Sequence, residues 1–442
     1  MDFDEALRYL LSLGHETVAI KLGLRNTLRL LEAVGRPQSA FPSVQIAGTN
    51  GKGSTAVVLD SICRAAGLNT GLYTSPHLVS ITERIRIHGR EIGREEFARL
   101  IERVRRCAER LMFQGEIEAL PTFFEHLTVA ALLAFGERHV RLGILETGLG
   151  GRLDATTAAR AETVAITPIA LDHQEYLGQT LAEIAAEKAA IIRTGVRAII
   201  APQPPEALAV ILRRCEEQRV EPRLVKEDEA SVLGVDDGGR LRARFRTEQD
   251  CYDDVHVGLR GRHQLTNVAV AIHLAEALRE SGFRIARDAI IRGINGAEHK
   301  GRLEFLEGSP PLLFDGAHNA AGARALRAFL DEFMSGPISV VFGAMRDKDL
   351  TEIAALLFPV ASRLILTRPH SPRAAAPEEI KAYVPRGFDS SRITLAPRVG
   401  EALRLARAET PPGGLVLITG SLYLVGEALA ELERQAAQSR LT

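Results

Sequence analysis

The stretch AGTNGKGST, residues 47–55, decides how the rest of the chain is read. Only Thr49 and Asn50 separate Gly48 from Gly51, and Gly53 stands between Lys52 and Ser54, so the run departs from the usual G-x-x-x-x-G-K-[ST] phosphate-loop spacing. Its setting suits such a loop all the same. Residues 44–47 are a short apolar run that reads as a strand, and residues 55–67 read as a helix stopping at a glycine. A glycine-rich turn between strand and helix frees backbone N–H groups, and the helix N-terminus behind them favours an anion. Lys52 adds a point charge, and Ser54 or Thr55 offers a hydroxyl to Mg²⁺. A plain tight turn is the competing reading, because glycine suits turns anyway.

At 442 residues the chain is too long for one ordinary core, and two or three domains are expected. Hydrophobic residues make up 46% and charged residues 25%, with a formal net charge of −1. That balance suits an ordinary globular protein and argues against a nucleic-acid surface. The N-terminus, MDFDEALRYLLSLG, carries acids where a signal peptide needs bases. No apolar run is long enough to span a bilayer, so no membrane partner is expected and the cytoplasm is the expected location. Cys63, Cys107, Cys215 and Cys251 lack metal-ligand spacing and read as reduced thiols. Lysines are few beside the arginines, which makes each lysine mildly informative.

Short β-branched runs alternate with helical patterns almost throughout, the signature of a parallel α/β protein. A first unit runs from SVQIAGTN to about Gly296 and a second carries the strands LLF, ISVVF, RLILT and LVLIT. The hinge between them is NGAEHKGR, residues 295–302, giving domains 1–296 and 297–442. Residues 221–257 lose helical periodicity and carry an Asp-Asp-Gly-Gly turn, which predicts a small antiparallel excursion.

Glu146 stands where the apolar run VRLGIL meets a glycine-rich turn, the crevice end of a sheet at which ligands bind. A carboxylate there is a cation ligand or the partner of a buried base. The segment TLAEIAAEKAAIIRTG opens with a capping box, Thr180 and Glu183, and stops at Gly195. Helical spacing puts Leu181, Ile184, Ala185, Lys188, Ile191 and Ile192 on one stripe. Lys188 therefore faces the apolar side, where an unpaired ammonium costs on the order of several kcal/mol. Either it is paired, neutralised or modified, or it snorkels from the helix flank. Asn267 shares an inward stripe with Ala271, Leu274 and Leu278 and needs a partner. Thr122 and Glu125 form a second capping box, followed by Phe123 and Phe124, which read as core or as a stacking platform. In the second unit the strands end at Asp315, Gly343, Thr367 and Gly420, delivering DGAHN, GAMRDKD, RPHSPR and GSLY to one polar edge. His88, His139, His256, His273 and His299 lack ligand spacing and are assigned no role.

Seven segments carry a family resemblance: YTSPHLVSITERIRI (73–87), ILETGLGGRLDAT (144–156), LDHQEYLG (171–178), EKAAIIRTG (187–195), GRHQLTN (261–267), FDGAHN (314–319) and TGSLYLVGEAL (419–429). With the variant loop, in order over nearly the whole chain, they resemble the folate branch of the Mur ligase superfamily, folylpolyglutamate synthase and dihydrofolate synthase. The resemblance implies a Mur-ligase-like P-loop ATPase domain with a mostly parallel sheet, followed by a smaller C-terminal Rossmann-like α/β domain. It implies an ATP-dependent amide ligase that joins L-glutamate to dihydropteroate, to folate or to both through an acyl phosphate, acting as a monomer.

The site residues follow from the same resemblance. Gly48, Thr49, Asn50, Gly51, Lys52, Gly53, Ser54 and Thr55 hold the ATP phosphates, Arg302 reaches them from the hinge, and Asn267 contacts adenine. Asp315 and His318 close over the nucleotide. Ser54, Ser75 and Glu146 hold one Mg²⁺, while His173 and a carbamylated Lys188 hold a second. Lys52, Lys188, His173 and Glu146 are thus the catalytic set. Thr122, Phe124, Asp154 and Pro76 of the TSPHL loop line the pterin pocket, and Arg368, His370 and Ser421 are the expected glutamate contacts. Ala190 and Ala320 depart from the family's glycine and proline. A monofunctional folylpolyglutamate synthase is the alternative. A peptidoglycan-type ligase would need a domain ahead of the loop, and a non-enzymatic ATP switch would leave Lys188 without a use.

Overall fold

All five residues of the strand Ser43–Ala47 are buried, the pattern of a parallel strand covered on both faces. The computed structural model, which describes residues 1–14, 23–236 and 238–439, places this strand inside an eight-stranded sheet. It pairs in parallel with Leu142–Glu146 on one side and Thr163–Ile166 on the other. Thr70–Tyr73, Arg197–Ile200 and Arg223–Leu224 extend the parallel set, and Ile85–Ile87 with Arg90–Glu91 add an antiparallel edge. Ile46 and Val44 pack with Val58, Val268 and Ile290 on one face. Tyr73 and Leu145 pack with Leu127 and Phe135 on the other. Each such buried aliphatic side chain contributes roughly 1.5–3 kcal/mol of transfer free energy, so the strand carrying the glycine loop is firmly anchored.

Ala230–Val235, Arg240–Arg246 and Cys251–Arg260 form the expected three-stranded antiparallel excursion. In its turn, Asp236 accepts hydrogen bonds from the backbone of Gly238 and Arg240, while residue 237 lies outside the described residues. Beyond residues 295–302 a second sheet has the order Glu304–Leu306, Leu312–Asp315, Leu415–Thr419, Ile338–Phe342, Ala361–Thr367, Ile393–Ala396. All its pairs are parallel except the first. Sequence reading missed Glu304–Leu306 and Ile393–Ala396, the two edge strands, whose residues are only partly buried apart from Ala396 and therefore lack a continuous apolar run.

Two helix boundaries differ from expectation. The helix after the loop begins at Lys52, three residues early, because Gly51 at φ 87° supplies the left-handed turn into it. It ends as expected at Gly67, φ 79°, whose N–H bonds the Arg64 carbonyl. The Lys188 helix spans only Leu181–Ala189. Past that point the chain tightens into i→i+3 bonds, Ile191 to Lys188 and Ile192 to Ala189, and the Glu187 carbonyl is taken by the Arg152 N–H.

Candidate active site

The C-terminal edges of the central parallel strands of both sheets face one cleft, as ligand sites in open α/β sheets do. Its floor is the glycine loop. Thr49 and Asn50 donate their N–H groups to the Pro168 carbonyl, so the loop is pinned to the neighbouring strand's exit and these two amides are occupied. The first helical acceptor is Gly51, taken by the Thr55 N–H. The amides of Lys52, Gly53 and Ser54 belong to the preceding turn and lie in the cleft lining, where helix polarity favours an anion. A Cβ on Gly51 would overlap Oδ1 of Asn267, which packs on the loop while its Nδ2 donates to Gln264 at 2.8 Å. Asn267, Ala271, Leu274 and Leu278 are all buried, so the inward stripe is real.

Two amines converge on one carbonyl. Lys188 Nζ lies 2.8 Å and Lys52 Nζ 3.1 Å from the Gly48 oxygen. Lys188 is 4% exposed, within the apolar stripe its spacing predicted. Burial lowers its pKa to about 7, and the charge of Lys52 pushes the same way. Burial also lowers that of Lys52, opposed by Glu146 and Asp172.

Glu146 is 6% exposed, and burial raises its pKa against the pull of Lys52. Its Oε2 accepts the Ser75 N–H at 3.1 Å, and Ser54 lines the same part of the cleft. Hydroxyl and carboxylate oxygens suit a hard cation such as Mg²⁺. Among the described residues no three His, Cys, Asp or Glu side chains converge as a metal cage, so any cation here depends on hydroxyl, phosphate or modified-lysine oxygens as well. His173, at φ 51°, lines the cleft with Lys188, and burial lowers its pKa to about 4, leaving a neutral ring able to bind a metal.

A second part of the cleft is apolar. Thr122 caps the helix Phe123–Glu137 through the predicted capping box with Glu125. Phe123 is core, whereas Phe124 faces the cleft, 5.9 Å from the Tyr73 ring. Asp154 lines this region, but its carboxylate already accepts from the amides of Gly148, Leu149 and Thr156. It shapes the loop as much as it faces the cleft. Pro76 completes this wall.

The second sheet supplies the roof. Arg302, Asp315, His318 and Ser421 all line the cleft. Asp315 accepts from the amides of Leu303 and Ala317, and Ser421 donates to the Gly343 carbonyl at 3.0 Å. Arg368 and His370 are not brought there. Just past the end of the strand Ala361–Thr367, buried Pro369 packs against Gly343, and Arg368 and His370 on either side of it are exposed. Arg373 enters the cleft lining instead, 2.8 Å from Asp347.

Three further residues escaped the sequence reading. Asp172, 7% exposed, meets Lys348 Nζ at 2.6 Å, Asn319 Nδ2 at 3.1 Å and His318 Nε2 at 3.5 Å across the cleft. Burial alone would raise the Asp172 pKa, but His318 and Lys348 outweigh it and hold the carboxyl well below the usual range. The rarity of lysine was the available signal for Lys348. His299, left without a role above, touches Ser54 Oγ through Nδ1 at 3.1 Å. Its partner is 245 positions away, so ligand spacing could not reveal it.

Residues 46–275 match the Mur ligase middle domain and residues 301–422 the Mur ligase glutamate ligase domain. The chain is 34% identical to the dihydrofolate synthase/folylpolyglutamate synthase of Bacillus subtilis, over 95% of this chain and 97% of that one. It belongs to this family of Mur ligases. A Mycobacterium tuberculosis folylpolyglutamate synthase complexed with ADP matches with a TM-score of 0.90, 31% identity, and coverage of 97% of this chain and 98% of the other. An E. coli FolC in complex with DHPP and ADP matches with a TM-score of 0.86, 30% identity, and 99% coverage of both chains. Against a 34% identical relative from Haloferax volcanii, a probable bifunctional folylpolyglutamate synthase/dihydropteroate synthase, 97% of the chain matches but spans only 50% of that protein's length.

Proposed function

We propose that this ATP-dependent ligase joins the carboxylate of dihydropteroate or of a folate to the amine of L-glutamate. The γ-phosphoryl group passes to the carboxylate oxygen, giving ADP and an acyl phosphate. The glutamate amine then attacks the acyl carbon, phosphate leaves and the amine loses a proton. The observation that carries this reading is the convergence, in one cleft, of an anion-binding helix start with Lys52, an oxygen-rich cation corner and a roof of charged residues from the second sheet.

Residues 1–296 supply the ATP and pterin sites. The amides of Lys52, Gly53 and Ser54, with the Lys52 ammonium, take the phosphates, and Arg302 approaches from the hinge. Phe124 offers its ring face to the pterin. Ser54, Ser75 and Glu146 would hold one Mg²⁺, and His173 with a carbamate on Lys188 a second. Mg²⁺ bound there neutralises charge on the transferring phosphoryl group. An amine with a pKa of about 7 is largely unprotonated under mildly basic conditions and free to add CO₂, which supports carbamylation of Lys188. Residues 297–442 supply the glutamate site, with Ser421 and Arg373 favoured over Arg368 and His370. Both walls of the cleft come from one chain, which supports a monomer. Among the described residues no helix is long and apolar enough to cross a membrane, and action in the cytoplasm is part of the proposal. Closure keeps water from the acyl phosphate and aligns the amine, an orientation effect on the order of 7–11 kcal/mol.

Purified protein with ATP, Mg²⁺, L-glutamate and either dihydropteroate or tetrahydrofolate should release phosphate only when both organic substrates are present. Product from both pterins supports a bifunctional enzyme, and product from tetrahydrofolate alone a monofunctional one. Phosphate release independent of both substrates would overturn the ligase reading.

A further inference from the structure

The hinge that joins the two sheets does more than connect them. Within residues 297–302, which run from the helix Arg287–Asn295 to the strand Glu304–Leu306, His299 as well as Arg302 lines the cleft. Its Nδ1 lies 3.1 Å from Ser54 Oγ. The rest of the ring lies across Gly53 from Glu146: a Cβ on Gly53 would come within 2.9 Å of His299 Cε1 and 3.3 Å of Glu146 Oε2. Glycine at position 53 is therefore what lets the imidazole reach the hydroxyl.

A serine hydroxyl has one proton and two lone pairs. A hydroxyl free to rotate presents its proton toward a cation part of the time, whereas one whose proton is held elsewhere presents only lone pairs. We propose that His299 is a positioning residue for the cation corner: its Nδ1 accepts the Ser54 hydroxyl proton and so turns the lone pairs of Ser54 Oγ toward the metal beside Glu146. His299 acts through Ser54 and does not itself touch the reacting atoms. The required tautomer carries its proton on Nε2. This rests on the reading of Ser54 and Glu146 as metal ligands given above.

The test is Mn²⁺ binding to the full chain in the presence of ADP, followed by the loss of the free-ion electron paramagnetic resonance signal. His299→Phe keeps a flat ring but no acceptor, and should weaken Mn²⁺ binding about tenfold, the usual cost of losing a group that orients a ligand. His299→Asn, whose Oδ1 can stand where Nδ1 stands, should stay close to wild type. Ser54→Ala should lose affinity, and adding His299→Phe to it should cost nothing more. ADP affinity without metal should be the same in the wild type and in both His299 single variants. Unchanged Mn²⁺ binding by His299→Phe, or an equal loss in His299→Asn, overturns the inference while leaving the metal site standing. Absence of Mn²⁺ binding in the wild type overturns both.

Discussion

At the scale of single residues, the pairing of Lys52 and Lys188 on the Gly48 carbonyl is the most consequential contact in the molecule. Burial lowers both amines and their mutual repulsion adds to it, so Lys188 falls from its ordinary 10.5 to about 7. The sign of its effect on stability follows. Between pH 7 and 10.5 the unfolded chain binds a proton at this lysine that the folded chain does not, so native stability rises with pH across that window. Below pH 7 both states are protonated and the full cost of the buried charge remains. In CO₂-free buffer, Lys188→Met should therefore be more stable than wild type by on the order of a few kcal/mol at pH 6, with the difference shrinking towards pH 10. Denaturant titrations at several pH values measure this, and a pH-independent difference would refute the shifted lysine. The same variant should lose ligase activity on the order of 10²-fold or more, since an electrostatic contributor to the transition state has gone.

At the scale of elements, two local devices hold the chemistry in place, and each has its own test. Gly51 bends the loop into its helix at φ 87° against Asn267. Gly51→Ala must both adopt an unfavourable backbone and displace the asparagine. A loss of about 1–3 kcal/mol in stability and of most ADP affinity is expected, read by denaturation and calorimetry. Thr180 caps the short helix bearing Lys188, and Thr180→Ala should cost about 1 kcal/mol in denaturant titrations. These devices were legible in sequence because they are local: both capping boxes, the strand before the loop, Gly67 and the antiparallel excursion rest on short spacings. The helix starts were less so. Nothing in the run GKGSTAV distinguishes a helix beginning at Lys52 from one beginning at Thr55, because the decision lies in the packing of Gly51 on Asn267. The placement of Arg368 and His370 failed for a related reason. A strand end says which loop reaches the cleft, but the inward turn of Pro369 sets which of its side chains follow.

At the scale of the whole molecule, the two sheets meet through a polar junction that no single segment announces. Asp172 hangs from the first sheet and gathers Lys348, His318 and Asn319 from the second, while Asn319 also donates to Asn50 in the glycine loop at 3.0 Å. Only the fold brings positions 50, 172, 319 and 348 together, so sequence could name the loops but not the junction. Lys348 and Asp172 are 8% and 7% exposed, and truncating one member of such a pair leaves a desolvated charge costing about 3–5 kcal/mol if the sheets stay together. The strain has an outlet, however, because parting the sheets would rehydrate Asp172 without unfolding either. Lys348→Met should accordingly open the cleft rather than melt the protein. Small-angle scattering would show a larger radius of gyration for the variant without ligand, and saturating ADP with Mg²⁺ should restore the compact form by supplying new contacts to both walls. Because the Asp172 carboxyl titrates well below its ordinary range, the wild type should stay closed as pH falls to 5, losing this contribution only below the ordinary carboxylate range. A variant as compact as wild type would mean that apolar contacts such as Leu78 against Val425, and not the Asp172 junction, hold the two sheets together.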